Sequence, residues 1–227
     1  MRSLGVEPIL RVAVAGIAAL VASSTSHGDL SAATTEKTKI MNHRPPSPIE
    51  LAYRAGRAND GGDAARAHYR RGIELAREVL RGSPDDPDAL LWLAANLGGE
   101  ALTHGKLYAL GVISEIEGTL LHLDRVAPSY DSAAGARSLA NLYWKAPAII
   151  SVGSSKKAAS YFQLALQRAP NYPGNQAMAA AFFADSGDCA RARPLAQAVV
   201  ARADLESHGV DAAEWRTLAR DALKDCE

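Results

Sequence analysis

Small and apolar residues return along this chain at steps of four and three. The clearest instance is Ala158, Phe162 and Ala165, followed by Pro170. Such steps bring side chains back to one face of a helix, so the stretch predicts a helix with a small–large–small buried stripe. Ala158 and Ala165 admit a neighbouring helix, and Phe162 fills the space between them. Pro170 ends the helix, because it lacks an N–H and clashes with the preceding turn. The same spacing precedes Pro128 (Ile116, Leu120, Leu123) and Pro84 (Gly72, Ala76, Val79). It follows once more as Ala192, Ala196 and Val199, with Asp204 in place of the proline.

Ala-x3-Phe-x2-Ala-x4-Pro is the second-helix signature of a tetratricopeptide repeat. The terminators lie 44 residues apart (84 to 128) and 42 apart (128 to 170). Each middle unit therefore carries roughly 8 to 10 residues beyond the standard repeat of about 34. The pattern predicts an all-α fold of tetratricopeptide-like antiparallel helix pairs forming a short superhelix.

Helix-start signals divide the chain further. Ser47-Pro48-Ile49-Glu50 reads as a capping box opening a helix to near Ala58. Asn59 to Gly62 is a turn, and Asp63 is placed to cap a helix from Ala64 to Arg81. Asp86 and Pro87 supply the next cap and first residue. Asp188 opens a helix that Pro194 should kink, and Asp211-x-x-Glu214 reads as a capping box before a final helix to Asp225.

Two predicted helices, Ala89–Leu97 and Gln176–Ala184, are apolar nearly all round, whereas Ala64–Arg81 and Ala158–Arg168 are amphipathic. A helix without a polar face is buried on every side, so the first helix of each unit lies inside the superhelix. Either the interior is filled, or an apolar groove or tunnel lies there. In the second case Leu91, Ala95, Leu139, Leu142, Tyr143, Ala177 and Ala181 on the inner helices are the candidate ligand- and partner-binding residues.

Charge and composition narrow the class. Lys+Arg 25 balances Asp+Glu 25, which leaves no basic stripe for nucleic acid. Val12 to Ala22 is an apolar run of 11 residues after Arg2 and Arg11, too short to span a bilayer and shaped like a secretory h-region. Residues 1–24 thus read as a signal peptide, 25–46 as a polar linker and 47–227 as the helical-repeat domain, which places the mature chain in the periplasm or outside the cell. Cys189 begins the penultimate helix and Cys226 follows the last one. If those helices pack antiparallel in an exported protein, a disulfide between residues 37 apart is within reach.

Catalytic and metal chemistry finds little support. Glu100 and His104 share a helical face, but no second His or Cys stands at ligand spacing. His122 and Asp124 point to different sides. Gly153-Ser154-Ser155-Lys156 offers N–H groups at a helix start but lacks the second glycine of a phosphate loop, and reads as a turn with a serine cap. No nucleophile–base set appears, so the reading is non-enzymatic, with no cofactor and no metal.

Two stretches carry a family resemblance. One runs from Gly135 through Arg137, Leu139, Tyr143 and Lys145 to Pro147. The other runs from Gly153 through Lys156, Lys157, Ala158, Tyr161, Phe162, Ala165, Pro170, Tyr172 and Pro173 to Asn175. Together they resemble the T-component (TatT-like) family of TRAP transporters, over about residues 64–200. The resemblance implies cryptic tetratricopeptide repeats, a homotrimer, a hydrophobic channel for a small organic ligand, and pairing with a periplasmic substrate-binding protein. Members of that family are often lipoproteins, and this chain lacks the lipid-bearing cysteine.

Overall fold

The computed structural model describes residues 45–227 except Asp60 and Gly209. The signal peptide and nearly all of the linker read from the sequence lie outside the described residues. Those described residues form nine α-helices and one short 3₁₀ helix, with no strand. In order they are α1 (Pro48–Ala58), α2 (Gly62–Gly82), α3 (Pro87–His104), α4 (Lys106–Val126), α5 (Ala134–Lys145), α6 (Ser155–Arg168), α7 (Pro173–Asp185), α8 (Cys189–Val200), the 3₁₀ turn (Leu205–His208) and α9 (Val210–Asp225). Consecutive helices pack as antiparallel neighbours. The inner members also pair, α1 with α3, α5 with α7, and α7 with α9. The fold is all-α, with helix pairs stacked as a helical repeat.

Local chemistry sets most boundaries. Ser47 Oγ accepts from the Glu50 N–H at 3.2 Å, and Asp86 Oδ1 from the Ala89 N–H at 2.8 Å, each with proline at the first helical position. Ser154 caps α6 and Asp188 caps α8 in the same way. Three expected details differ. Asp63 falls inside α2 and pairs with Arg66, because α2 begins two residues before the expected Ala64, at Gly62, with Gly61 (φ 93°) at the cap position. The Glu50 carboxylate takes an ion pair with Arg54. Asp211 sits inside α9, where it is buried. Pro194 is accommodated within α8, which runs on to Val200.

The extra length of the first repeats is helical. α3 continues past Leu97 to His104, breaks at Gly105 (φ 94°), and resumes at once as α4. A positive φ of that size suits glycine alone among common residues. The hairpin α3–α4, with the long α2, therefore extends beyond the shorter helices α5 to α8.

One continuous core runs through the stack. On α3 every residue from Asp88 to Ala101 is buried, because α1, α2 and α4 all cover it. Close approach depends on missing side chains. A Cβ at Gly56 of α1 or Gly99 of α3 would fall 2.5 or 2.3 Å from the Tyr69 ring of α2, so the three helices clasp that ring between two glycines. Tyr69, Tyr53 and Trp92 form an aromatic cluster there, with ring centroids 5.7 and 5.6 Å apart. In the second half Phe162, the large residue of the buried stripe, meets Phe182 at 5.2 Å and Trp144 at 6.2 Å. Cys189 and Cys226 are bonded, with their Cα atoms 5.4 Å apart, and tie the start of α8 to the end of α9. Among the described residues, no helix is long and apolar enough to cross a membrane.

Candidate functional site

The inner helices bury most of the sequence-derived candidates in the core. Leu91 on α3, Leu139 and Tyr143 on α5 and Ala177 on α7 are each 3% exposed or less, as is Ala95. Leu142 and Ala181 are half-buried. Ala95, Leu139 and Ala177 have no exposed surface, so no water-sized space lies beside them. A ligand could reach these residues only if neighbouring helices moved apart. Tyr143 also has a polar task. Its hydroxyl donates to Glu117 Oε1 of α4 at 2.7 Å, and this bond, together with burial, pushes its pKa well up.

Between the inner helices lies a set of buried polar groups. Arg57 of α1 approaches Glu214 of α9 at 3.7 Å, which joins the two ends of the described stack. Beside this pair is Asp211, 1% exposed, whose Oδ1 has no hydrogen-bond partner among the described residues. Burial drives its pKa up to about 7 and the nearby Glu214 carboxylate adds to the rise, while Arg57, Arg137 and Arg54 oppose it. Burial likewise raises Glu214 against the pull of Arg57.

Arg137 of α5 is nearly buried and organises the connection from α4. Residues Asp131, Ser132 and Ala133 have φ of 42°, 55° and 66° without being glycine, a conformation that costs free energy. Arg137 holds it by donating to the Ser132 carbonyl at 3.1 Å and to Asp131 Oδ2 at 3.0 Å. It also donates to Asn175 Oδ1 at 3.0 Å, and its guanidinium lies 4.8 Å from the centre of the Tyr172 ring. Asn175 Nδ2 in turn reaches the carbonyls of Ser132, Ala165 and Ala169. One arginine and one asparagine thus bind α5, α6 and α7 together.

A second cluster surrounds Glu100, 5% exposed on α3. Arg70 of α2 donates to it at 2.7 Å and Tyr108 of α4 at 2.9 Å, while His104 stands 3.5 Å away, stacked on Tyr108. Burial pushes the carboxyl up, but the bonds from Arg70 and Tyr108 outweigh it and hold it below its ordinary value. The face shared by Glu100 and His104 therefore serves as a clamp across Gly105. His122 pairs with Asp85 at 2.6 Å and Asp124 with Arg168, so those two side chains do diverge. Among the described residues no group of three His, Cys, Asp or Glu is placed to hold a metal ion.

Sequence reasoning quotes Arg137 and Asn175 only as carriers of the family resemblance, gives them no role in packing, and does not name Arg70. The usable signal was a polar residue on a helix otherwise made of small and apolar ones. Arg137 and Asn141 stand four apart in that setting, and both are buried. The loop Ala146–Ser154 is pinned at its base. Ser154 N–H donates to the Tyr143 carbonyl at 2.8 Å, and a Cβ at Gly153 would fall 2.0 Å from the Ala146 carbonyl oxygen. Compared with protein-family models and with curated proteins, the chain matches none.

Proposed function

We propose that this chain is an exported, non-catalytic helical-repeat scaffold that binds another envelope protein through its outer surface. The observation that supports this best is the packing of the inner helices. Leu91, Ala95, Leu139, Tyr143 and Ala177 are occupied by one another and by their neighbours, so a partner meets outer helix faces and turn edges. The Cys189–Cys226 bond favours an oxidising compartment. The resemblance to TRAP-transporter T-components gives the proposal a narrower form, in which the partner is a periplasmic substrate-binding protein and the chain is an accessory of TRAP-type transport.

A second reading keeps the apolar groove and a small organic ligand. Its support is that Leu142 and Ala181, on two inner helices, retain some exposure. Native mass spectrometry of the protein purified gently from its own envelope separates the two. A stoichiometric second protein supports the scaffold. A bound small molecule, lost in a folded Ala181→Trp variant, overturns it in favour of the groove.

A further inference from the structure

We propose that the outer face of α4 is a self-complementary surface on which a second copy of this chain packs, helix against antiparallel helix. Leu107, Gly111, Ser114, Gly118 and Leu121 follow one another there at steps of four and three, so they share one side of the helix. All five are exposed, Leu107 to 88% and Leu121 to 40%, and none is charged. On α2, another outer helix, the same steps carry Arg71, Glu74, Glu78 and Arg81, the composition of a face that meets water. The α4 face lies opposite the side on which Ile116, Leu120 and Leu123 are buried, so the core does not use it. Its glycines also differ from the others inside helices. A Cβ at Gly56, Gly72, Gly99, Gly135 or Gly174 would fall 2.2 to 3.2 Å from a neighbouring group, so each of these admits a close contact. Around Gly111 and Gly118 nothing lies within 4 Å. Glycine inside a helix destabilises it relative to alanine, and at the other five sites close packing offsets that cost. A second helix seated between Leu107 and Leu121 supplies the same close packing for Gly111 and Gly118.

The order of the residues selects the occupant. Counted from Ser114, the leucines stand seven before and seven after, and the glycines three before and four after. An antiparallel copy of the same helix therefore brings Leu107 level with Leu121, Gly111 level with Gly118, and Ser114 level with itself. That is the reciprocal pairing a two-fold axis requires. Charge beside the seam fits the same axis. Arg77 of α2 and Glu115 of α4 lie 2.7 Å apart next to Ser114, and the axis sets each arginine near the carboxylate of the second copy. A three-fold ring would need two different faces, whereas this one complements itself. The face is smaller than the roughly 800 Å² per partner of a standard interface, so the pairing is weak and concentration-dependent.

Sedimentation velocity of the full chain across the micromolar range tests this. The parent should pass from monomer to dimer. Gly111→Gln with Gly118→Gln should weaken association about tenfold or more, because side chains then fill the space the second helix needs. Glutamine is the better helix former, so the same variant should melt no lower than the parent, which separates a lost contact from a damaged fold. Arg77→Glu should weaken association, and adding Glu115→Arg should restore it. Leu51→Ser, at an exposed site on α1, should change nothing. The apolar run at residues 12–22 is common to all variants, so differences between them report on α4. Ser114→Cys should cross-link two copies on mild oxidation, whereas Leu107→Cys should do so only together with Leu121→Cys. A parent that stays monomeric, a trimer, or undiminished association of the glycine double variant overturns the proposal. Cross-linking of Leu107→Cys as readily as Ser114→Cys overturns it too.

Discussion

Glu100 and Asp211 are both buried carboxylates, yet their surroundings push them in opposite directions. At the α2–α3–α4 clamp, Arg70 and Tyr108 each give Glu100 a hydrogen bond, and its pKa falls. At the α1–α9 seam, Asp211 Oδ1 has no such bond among the described residues, and its pKa rises to about 7. Burial alone therefore does not decide whether a charge strengthens a fold. Partners do, because an ionised group removed from water regains its lost hydration only through hydrogen bonds and opposite charge. The seam has a second means of cohesion. The Cys189–Cys226 bond holds α9 against α8 while α9 packs on α7.

The comparison can be broken at several points. The largest effect should come from Cys189→Ala with Cys226→Ala. Closing a 37-residue loop contributes about 4 kcal/mol in the chain-entropy model, so urea unfolding of the double variant should show a loss of that order, with α9 loosening first by proteolysis. Glu100→Ala should cost about 2 kcal/mol, since it strips Tyr108 and Arg70 of their acceptor. Asp211→Asn should instead stabilise, by about 1–2 kcal/mol at pH 8, and should have almost no effect near pH 4.

The pH dependence follows from the same signs. Asp211 holds its proton to higher pH when folded than when unfolded, so its ionisation penalty is absent below its unfolded value of about 4 and complete above about 7. Glu100 behaves oppositely. Its contribution is present above the unfolded value of about 4.3 and is lost as pH falls through its lower folded value. Thermal melts of the parent chain should therefore rise as pH drops from 8 to 5, and Asp211→Asn should flatten that slope while leaving the acid limb unchanged.

The repeat was legible because its physics is local. Ala158, Phe162 and Ala165 have no exposed surface, and neither do Leu120 and Leu123, as steps of four and three require. The disulfide was legible from the order of the last two helices, read together with an expected export. The details of buried polarity were not. Asp211 reads as a capping residue, since its spacing to Glu214 fits a box, but α9 starts at Val210, two residues before the Ala212 that such a cap would precede, and Asp211 lies buried within it. Arg137 owes its role to the Asp131–Ala133 turn, whose positive φ values occur in residues that do not advertise them. The inner helices gave a true answer about burial and an open one about function. An apolar face looks the same in sequence whether a neighbouring helix or a ligand covers it.

Hydrogen exchange on the free, uncomplexed protein tests the central claim that the interior is occupied by the chain itself. The account predicts that amides of Leu91–Leu97 on α3 and Ala177–Phe183 on α7 are among the slowest to exchange, and that they open together at the free energy of global unfolding. Fast exchange in both segments, slowed only by adding a small ligand, would contradict it and would mean that the inner helices line a groove.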